Sequence, residues 1–440
     1  MPDLLIRSLT TPDGRPTDLG IRGSRLIGPE QLDHPHVIDA DGLVVLPGLV
    51  DLHTHLREPS PQHAETVSSG TAAAAHGGFT AVFAMANTDP VADTADAVRQ
   101  VTRLARKASA EVIPIGAVTQ GQAGRRLSPI EAMHEAGTTV FSDDGHCVMD
   151  AALMRQALRR VGRFGGVIAE HCQDHNLATA SACLPDSLLK DHPLLGSTQP
   201  GDPDALGATE EWPWSAESVI VARDIQLAAD TGARIHLCHV STAESVEILR
   251  WAKAHHLPVT AEATPHHLLL DESLLVGGDT LFKVNPPLRN TEDRAAVRQA
   301  LADGVIDIVG TDHAPHVPGD KDKPFPQAKP GMLGLEQALG VVVETMVNTG
   351  LLDWTGVAQR MSVTPARIGR IEARQGRPLA VGEPANLVLV DPARRRVVDK
   401  NASLSLSRNN PYDGLTLPDP VVATFWAGRP TWTEPNFLAQ

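Results

Sequence analysis

The chain has few aromatic residues and few basic ones, and it contains no long apolar run. Phenylalanine, tryptophan and tyrosine make up 3% of the 440 residues, so smaller aliphatic side chains must fill most of the core. The 53 acidic and 38 basic residues give a net charge of -15, which argues against nucleic acid or an anionic membrane as a partner. No stretch has the roughly 20 apolar residues of a membrane-spanning helix. Met1-Pro2-Asp3 does not open a signal peptide.

The sequence is also poor in cysteine. A chain of this length needs more than four thiols for a disulfide framework. Free thiols are typical of proteins in reducing compartments, so we expect a cytoplasmic protein. The four positions are Cys147, Cys172, Cys183 and Cys238.

Two histidines follow an apolar run that predicts a buried strand. The run from Leu43 to Leu52 ends at His53, and one residue separates His53 from His55. Residues i and i+2 of a strand point to the same side, so both imidazoles are able to bind one metal ion. A lone His-x-His pair is weak evidence for a metal, because buried or solvated histidines are more common.

More ligand-type residues stand at the ends of later apolar runs, and together they favour one assembled site. Adjacent strand residues point to opposite sides, so the spacing leaves Asp143 and Asp144 as alternatives. The same alternation turns Cys172 and Cys238, the neighbours of His171 and His239, away from the site. The runs are Val140–Asp144, Val167–His171, Ile235–His239 and Ile306–Asp312.

Helical patterns separate the strand-like runs. The segment 243–254, for example, has helical apolar spacing and precedes the run at Val259. Strand and helix alternate about eight times, which predicts an α/β fold with a (β/α)8 barrel and its chemistry at the carboxyl ends of the strands. Residues 1–47 and 377–440 are β-rich without ligand-type clusters. We expect both termini to form one small β-sandwich domain beside a catalytic barrel of residues 48–376.

Seven motifs occur in the order found in one enzyme family. They resemble those of the type I dihydroorotases of the amidohydrolase superfamily, and the match runs from Val44 to Leu335. The motifs are Pro47–Pro59 (PGLVDLHTHLREP), Glu65–Ala72 (ETVSSGTA), Met85–Pro90 (MANTDP), Cys238–Thr242 (CHVST), Thr264–His267 (TPHH), Asn285–Arg289 (NPPLR) and Thr311–His316 (TDHAPH).

The resemblance implies two Zn2+ ions per chain, bridged by one carboxylate and a water or hydroxide. Many relatives use a carboxylated lysine as the bridge, but no lysine lies between Lys107 and Lys190. Alignment with the family favours Asp144 over Asp143 for this role. The implied ligands are His53, His55 and Asp312 for the first ion and His171 and His239 for the second, with Asp144 shared.

The implied reaction is the reversible cyclisation of N-carbamoyl-L-aspartate to dihydroorotate plus water, the third step of pyrimidine biosynthesis. In hydrolysis, a zinc-activated hydroxide attacks the ring amide carbon, and Asp312 carries the proton to the leaving nitrogen. We expect a long loop over residues 316–334 to cover the site. The implied substrate-binding residues are His55, Arg57, Asn87, Asn285 and His316, with Arg57 matching the free carboxylate.

Other polar residues near the motifs have weaker claims. We expect them to support the ligands, because a metal-bound imidazole needs a hydrogen-bond partner for its second nitrogen. These residues are His175, His236, Glu262, His266 and His267.

Two alternatives to this function stay open. A hydantoinase or allantoinase would share the fold and the histidines, but would want a bridging lysine. A catalytically inactive scaffold for aspartate transcarbamoylase would have lost ligands, and all six are present. We expect a small-molecule substrate and a homodimer, and an active enzyme that also associates with aspartate transcarbamoylase is compatible with the sequence.

Overall fold

The computed structural model describes residues 3–178 and 212–439. Cys183 lies outside the described residues, whereas Cys147, Cys172 and Cys238 are buried free thiols. The strands are β1 (Leu4–Thr10), β2 (Pro16–Arg22), β3 (Arg25–Ile27), β4 (His36–Asp39), β5 (Val44–Pro47), β6 (Leu49–Thr54), β7 (Phe79–Ala84), β8 (Glu111–Pro114), β9 (Val140–Phe141), β10 (Val167–Glu170), β11 (Arg234–Leu237), β12 (Val259–Ala263), β13 (Ile308–Val309), β14 (Leu387–Val390), β15 (Arg395–Val397), β16 (Thr416–Pro418), β17 (Val421–Trp426) and β18 (Arg429–Thr433).

The longer helices connect successive parallel strands. Many begin at a side chain that caps the first free amides, as Thr66 does for the first helix and Asn290 for the eighth. The helices are α1 (Val67–His76), α2 (Ala95–Leu104), α3 (Ile130–Glu135), α4 (Ala151–Gly162), α5 (Trp214–Thr231), α6 (Ala243–Ala254), α7 (Pro265–Leu269), α8 (Thr291–Asp303), α9 (Pro318–Lys321), α10 (Ala338–Val342), α11 (Trp354–Ala358) and α12 (Thr364–Ile368); π-helical turns at Val343–Val347 and Gln359–Val363 extend α10 and α11. Across the two described ranges, no helix is long and apolar enough to cross a membrane.

Eight parallel strands surround the ligand-type residues, in two sheets rather than the single closed sheet that the sequence predicted. One sheet has the order β6-β7-β8 and the other β13-β12-β11-β10-β9. Because β9 and β13 are two residues long, only single bridges join the sheets, between Gly116 and Phe141 and between Thr54 and His313. The first bridge joins the edges formed by β8 and β9, and the second joins the edges formed by β6 and β13.

The terminal strands combine into one mixed sheet of eight strands, and β15 and β16 form a separate pair. In the eight-stranded sheet, β5 from the amino-terminal part of the chain pairs antiparallel with β14 from the carboxyl-terminal part. Side chains alternate along β5: Val45 packs within the terminal cluster, whereas Val44 and Leu46 join the main core. β5 is therefore buried on both faces and packs the terminal sheet against the main core.

Candidate active site

All six predicted ligands lie at the carboxyl ends of the parallel strands. His53 is the penultimate residue of β6 and His55 directly follows this strand, while the other four lie within three residues after β9, β10, β11 or β13. Each is at most 6% exposed. Burial of so many ionisable groups in one place is costly unless they share a counter-charge or a metal. The members are His53, His55, Asp144, His171, His239 and Asp312.

Asp144 is at the centre of this group. Its Oδ1 lies 3.4 Å from His53 Nε2, 3.5 Å from His171 Nδ1 and 3.6 Å from His239 Nε2. Its Oδ2 lies 3.4 Å from His55 Nε2. One carboxylate thus faces all four histidines, as a group shared by two cations would.

Asp312 completes the other side of the group. Its Oδ1 lies 3.1 Å from His55 Nε2 and 3.4 Å from His53 Nε2. Burial alone raises the pKa of Asp312, but the neighbouring His53 and His55 outweigh it and hold this pKa below its usual range. The same balance, led by His53 against burial, holds the pKa of Asp144 well below its usual range. Both groups are therefore anionic at neutral pH.

The residues present fit a zinc site. His53 Nε2 and Asp144 Oδ1 are buried and have no hydrogen-bond partner among the described residues, although they face each other. A cation between them would satisfy both atoms, and imidazole nitrogen with carboxylate oxygen is a donor set that zinc accepts. Ligand atoms within 4.8 Å of one another occur in the sets His53/His55/Asp312, His53/Asp144/His239 and His53/Cys238/Glu262.

The third of these sets differs from the sequence prediction for Cys238. Alternation turned this thiol away from His239, but the structure brings it near His53 and Glu262. The reason is that His53 and Glu262 belong to other strands, β6 and β12, whose contacts alternation within β11 does not describe. Burial raises the pKa of Cys238 well above its usual range, so the group is a neutral thiol.

The two candidate aspartates have different surroundings. Asp143 accepts hydrogen bonds from the backbone nitrogen of Thr119, at 3.0 Å, and from its hydroxyl. Burial raises the pKa of Asp143 to about 6. Only Asp144 faces the histidines, so the geometry favours it as the bridge.

Supporting hydrogen bonds orient the ligands. Glu262 Oε1 accepts from His53 Nδ1 at 2.5 Å, and its Oε2 lies 3.2 Å from His236 Nε2. This leaves His53 Nε2 for a metal. Gln173 has the same relation to His171, with Oε1 2.9 Å from Nε2. Gln173 was not among the predicted site residues, although its position two residues after His171 places it on the same side of the chain.

Three of the predicted supporting histidines, His175, His266 and His267, make no hydrogen bond to the six ligands in the part of the chain that the structure describes. His267 Nδ1 lies 2.8 Å from the Thr264 hydroxyl, and its Nε2 lies 3.1 Å from the Pro286 carbonyl. His175 Nε2 accepts from the backbone nitrogen of Cys147. Both nitrogens of His266 are buried without a hydrogen bond within the described ranges. None of the three stands among the ligand sets.

A cavity of about 210 Å³ opens beside the ligands. The guanidinium of Arg57 reaches it and donates from Nε to the Pro315 carbonyl at 3.2 Å. Asn285 Oδ1 is buried and has no hydrogen-bond partner among the described residues. All five predicted substrate-binding residues line the cavity, which is bounded by His55, Arg57, Asn87, Asp144, Gly145, His171, His239, Asn285, Asp312, Ala314, His316, Pro330 and Gly331.

Protein partners of Asn87 and His316 restrict which of their atoms are left for a substrate. Asn87 Oδ1 accepts from His55 Nδ1 at 2.9 Å, so its NH2 group is the part left for a substrate. His316 Nδ1 lies 3.4 Å from Asp320 Oδ2. Burial, with Arg57 second, lowers the pKa of His316 to about 3, which keeps this imidazole neutral. A neutral ring beside Arg57 leaves the guanidinium as the positive charge of the cavity wall.

The chain resembles a family model, several sequence relatives and a set of solved structures. The family model described as Dihydro-orotase-like matches residues 42–245. The chain is 52% identical to the dihydroorotase of Streptomyces coelicolor, with 99% of each chain covered. It is 51% identical to the dihydroorotase of Leifsonia xyli, covering 95% of this chain and 93% of the relative. Among solved structures, L-hydantoinase (dihydropyrimidinase) from Arthrobacter aurescens superposes with a TM-score of 0.84 at 25% identity, over 98% of this chain and 96% of that one. The chain therefore belongs to the dihydroorotase family of cyclic amide hydrolases.

Proposed function

We propose that this dihydroorotase cyclises N-carbamoyl-L-aspartate reversibly in pyrimidine biosynthesis, using two zinc ions. The observation that carries the proposal is that five of the six predicted metal ligands line one cavity together with Arg57, and that the sixth, His53, adjoins them. Both carboxylates of the open substrate need cationic partners, which the Arg57 guanidinium and metal ions held by the predicted ligands would supply.

For the metals, we assign His53, His55 and Asp312 to one ion and His171 and His239 to the other, with Asp144 shared. The unpartnered His53 Nε2 and Asp144 Oδ1 support this assignment. When bound, the ions would polarise the substrate carbonyl and lower the pKa of the attacking water.

The protein's own residues orient the substrate and move the proton. Arg57 binds the carboxylate that does not react, through the two terminal nitrogens that its bond to Pro315 leaves open. The Asn87 and Asn285 amides and the neutral His316 ring hydrogen-bond the ring atoms. Asp312 Oδ1 faces His53 and His55, so Oδ2 accepts the proton of the attacking water in hydrolysis and delivers it to the leaving ring nitrogen.

The hydantoinase alternative has one observation in its favour, the close superposition on an L-hydantoinase. Against it stands the absence of a lysine between Lys107 and Lys190. We further propose a cytoplasmic homodimer that is able to associate with aspartate transcarbamoylase. For the domains, we propose a (β/α)8 barrel over residues 48–376 and a β-sandwich from residues 1–47 and 377–440.

Metal analysis and substrate competition test this function together. The purified protein should contain two zinc ions per chain, cyclise N-carbamoyl-L-aspartate and leave hydantoin unchanged. Because closure consumes one proton, each unit of acidification should favour the ring about tenfold. Because hydrolysis needs an unprotonated Asp312 and closure needs the proton that Asp312 carries, the hydrolysis rate should rise with pH while the closure rate falls. Hydantoin turnover exceeding dihydroorotate turnover would contradict the proposal.

A further inference from the structure

Asn409 is hydrogen-bonded to both ends of the loop over the site. Its Nδ2 donates to the carbonyls of Ala314, at 2.9 Å, and Gly331, at 3.1 Å. Its Oδ1 accepts from the backbone nitrogen of His316 at 3.0 Å. Its own carbonyl accepts from the backbone nitrogen of Leu333 at 3.0 Å. At 4% exposure, this side chain has little access to water that would replace these bonds.

The residues held by Asn409 form one end of the catalytic cavity. Ala314, His316 and Gly331 all line it, whereas Asn409 does not. His316 also packs directly on Gly331: a Cβ at position 331 would lie 2.7 Å from His316 Nε2. The hydrogen bonds that hold the backbone at Ala314, His316 and Gly331 therefore also hold the His316 imidazole in place.

The same segment also lines a second cavity. This second cavity, of about 390 Å³, is lined by His316, Pro318 and Asn409, among others. His316 is common to both cavities, so a displacement of its backbone would change the shape of both and move the imidazole.

We infer that Asn409 is a positioning residue for substrate binding, acting through His316 and Gly331. The inference rests on the proposed function in that His316 is taken to contact the substrate. An asparagine suits the task because one planar amide supplies two donors and an acceptor at fixed angles. An aspartate at this position would keep the acceptor for His316 but lose both donors, which makes Asn409→Asp a nearly isosteric test.

The experiment compares Asn409→Ala and Asn409→Asp with Asn410→Ala. Asn410 is an equally buried neighbour, bonded to Gln337 Oε1 and to the Tyr412 backbone nitrogen, and it lines neither cavity. Both Asn409 variants should raise KM for dihydroorotate about tenfold or more, with kcat changed less than about threefold and zinc content unchanged. Asn410→Ala should leave KM within about threefold of the wild type.

Hydrogen exchange of the ligand-free protein supplies a readout that does not need the reaction. Amides of residues 314–333 should exchange faster in both Asn409 variants than in Asn410→Ala, while amides in the rest of the chain should exchange at the same rate in all three variants. Equal exchange and equal KM in all three variants would overturn the inference. So would a uniform rise in exchange with loss of zinc, which indicates a general structural role. If the wild type did not turn over dihydroorotate, the proposed function would fail, and the exchange data would still decide the role of Asn409.

Discussion

Replacing Glu262 by glutamine should weaken zinc binding without disturbing the fold. Glu262 is fully buried and accepts from His53 Nδ1 at 2.5 Å. Burial by itself raises the pKa of Glu262, but the charges and hydrogen bonds of His53 and His236 outweigh it and hold the pKa well below its usual range. The group is thus a carboxylate that makes His53 Nε2 a stronger donor to a metal.

The size of the effect follows from the charge that the substitution removes. A hydrogen bond to a charged group contributes about 1.5–3 kcal/mol. Loss of such a partner typically lowers metal affinity by about 10–100-fold, which corresponds to about 1.4–2.8 kcal/mol. The two estimates agree, so we expect Glu262→Gln to bind zinc about 10–100-fold more weakly.

Competition against a chromophoric chelator measures this affinity directly. The matched control is Glu170→Gln, because Glu170 is also buried at a strand end but contacts Val148 and Arg223 rather than a ligand. Burial, with Asp224 second, raises the pKa of Glu170 well above its usual range, so glutamine there replaces a neutral carboxyl. Equal zinc affinities of the two variants would refute the reasoning.

Three further predictions concern other groups. Asp144→Ala should lose at least one zinc ion and most activity whereas Asp143→Asn keeps both ions, as measured by metal analysis; full zinc content in Asp144→Ala would show that it is not the bridge. Arg57→Lys keeps the positive charge but loses the paired N–H donors of the guanidinium, so KM should rise about tenfold while the zinc content stays unchanged. Loss of zinc instead would indicate a structural role for Arg57. Burial, with a smaller contribution from His239, lowers the pKa of His267 to about 4, below its unfolded value of about 6.5, so metal-free protein should lose up to about 1.4 kcal/mol of stability per pH unit between these values on acidification. Urea unfolding at pH 7 and pH 5 checks this, and an equal pH dependence in His267→Gln would contradict it.

The sequence was informative where one periodic rule governs a side chain. Side chains alternate along strands, and sites of parallel sheets form at the carboxyl ends of the strands. These two rules were enough to predict that His53, His171 and Asp312 lie close together. The helix at 243–254 was predicted for the same reason, since its apolar spacing is regular and Thr242 caps it.

The rest depended on contacts between residues distant in the chain. Whether Asp143 or Asp144 faces the histidines is decided by Thr119, which hydrogen-bonds Asp143. The position of His316 depends on Asn409, which no local pattern connects with it. The division into two sheets reflects how short β9 and β13 are, and apolar runs do not reveal where regular pairing stops.

The pairing of β5 with β14 has a consequence for biosynthesis. During translation, β5 leaves the ribosome early, and its partner is made only after every metal ligand has been synthesised. At roughly 5–20 residues per second, the delay is on the order of tens of seconds. For that time Val45 lacks its neighbours Leu387 and Leu389, so an apolar edge is exposed on the nascent chain. A chaperone that binds extended apolar segments would therefore meet this protein first at its amino-terminal strands, until the last strands arrive to cover them.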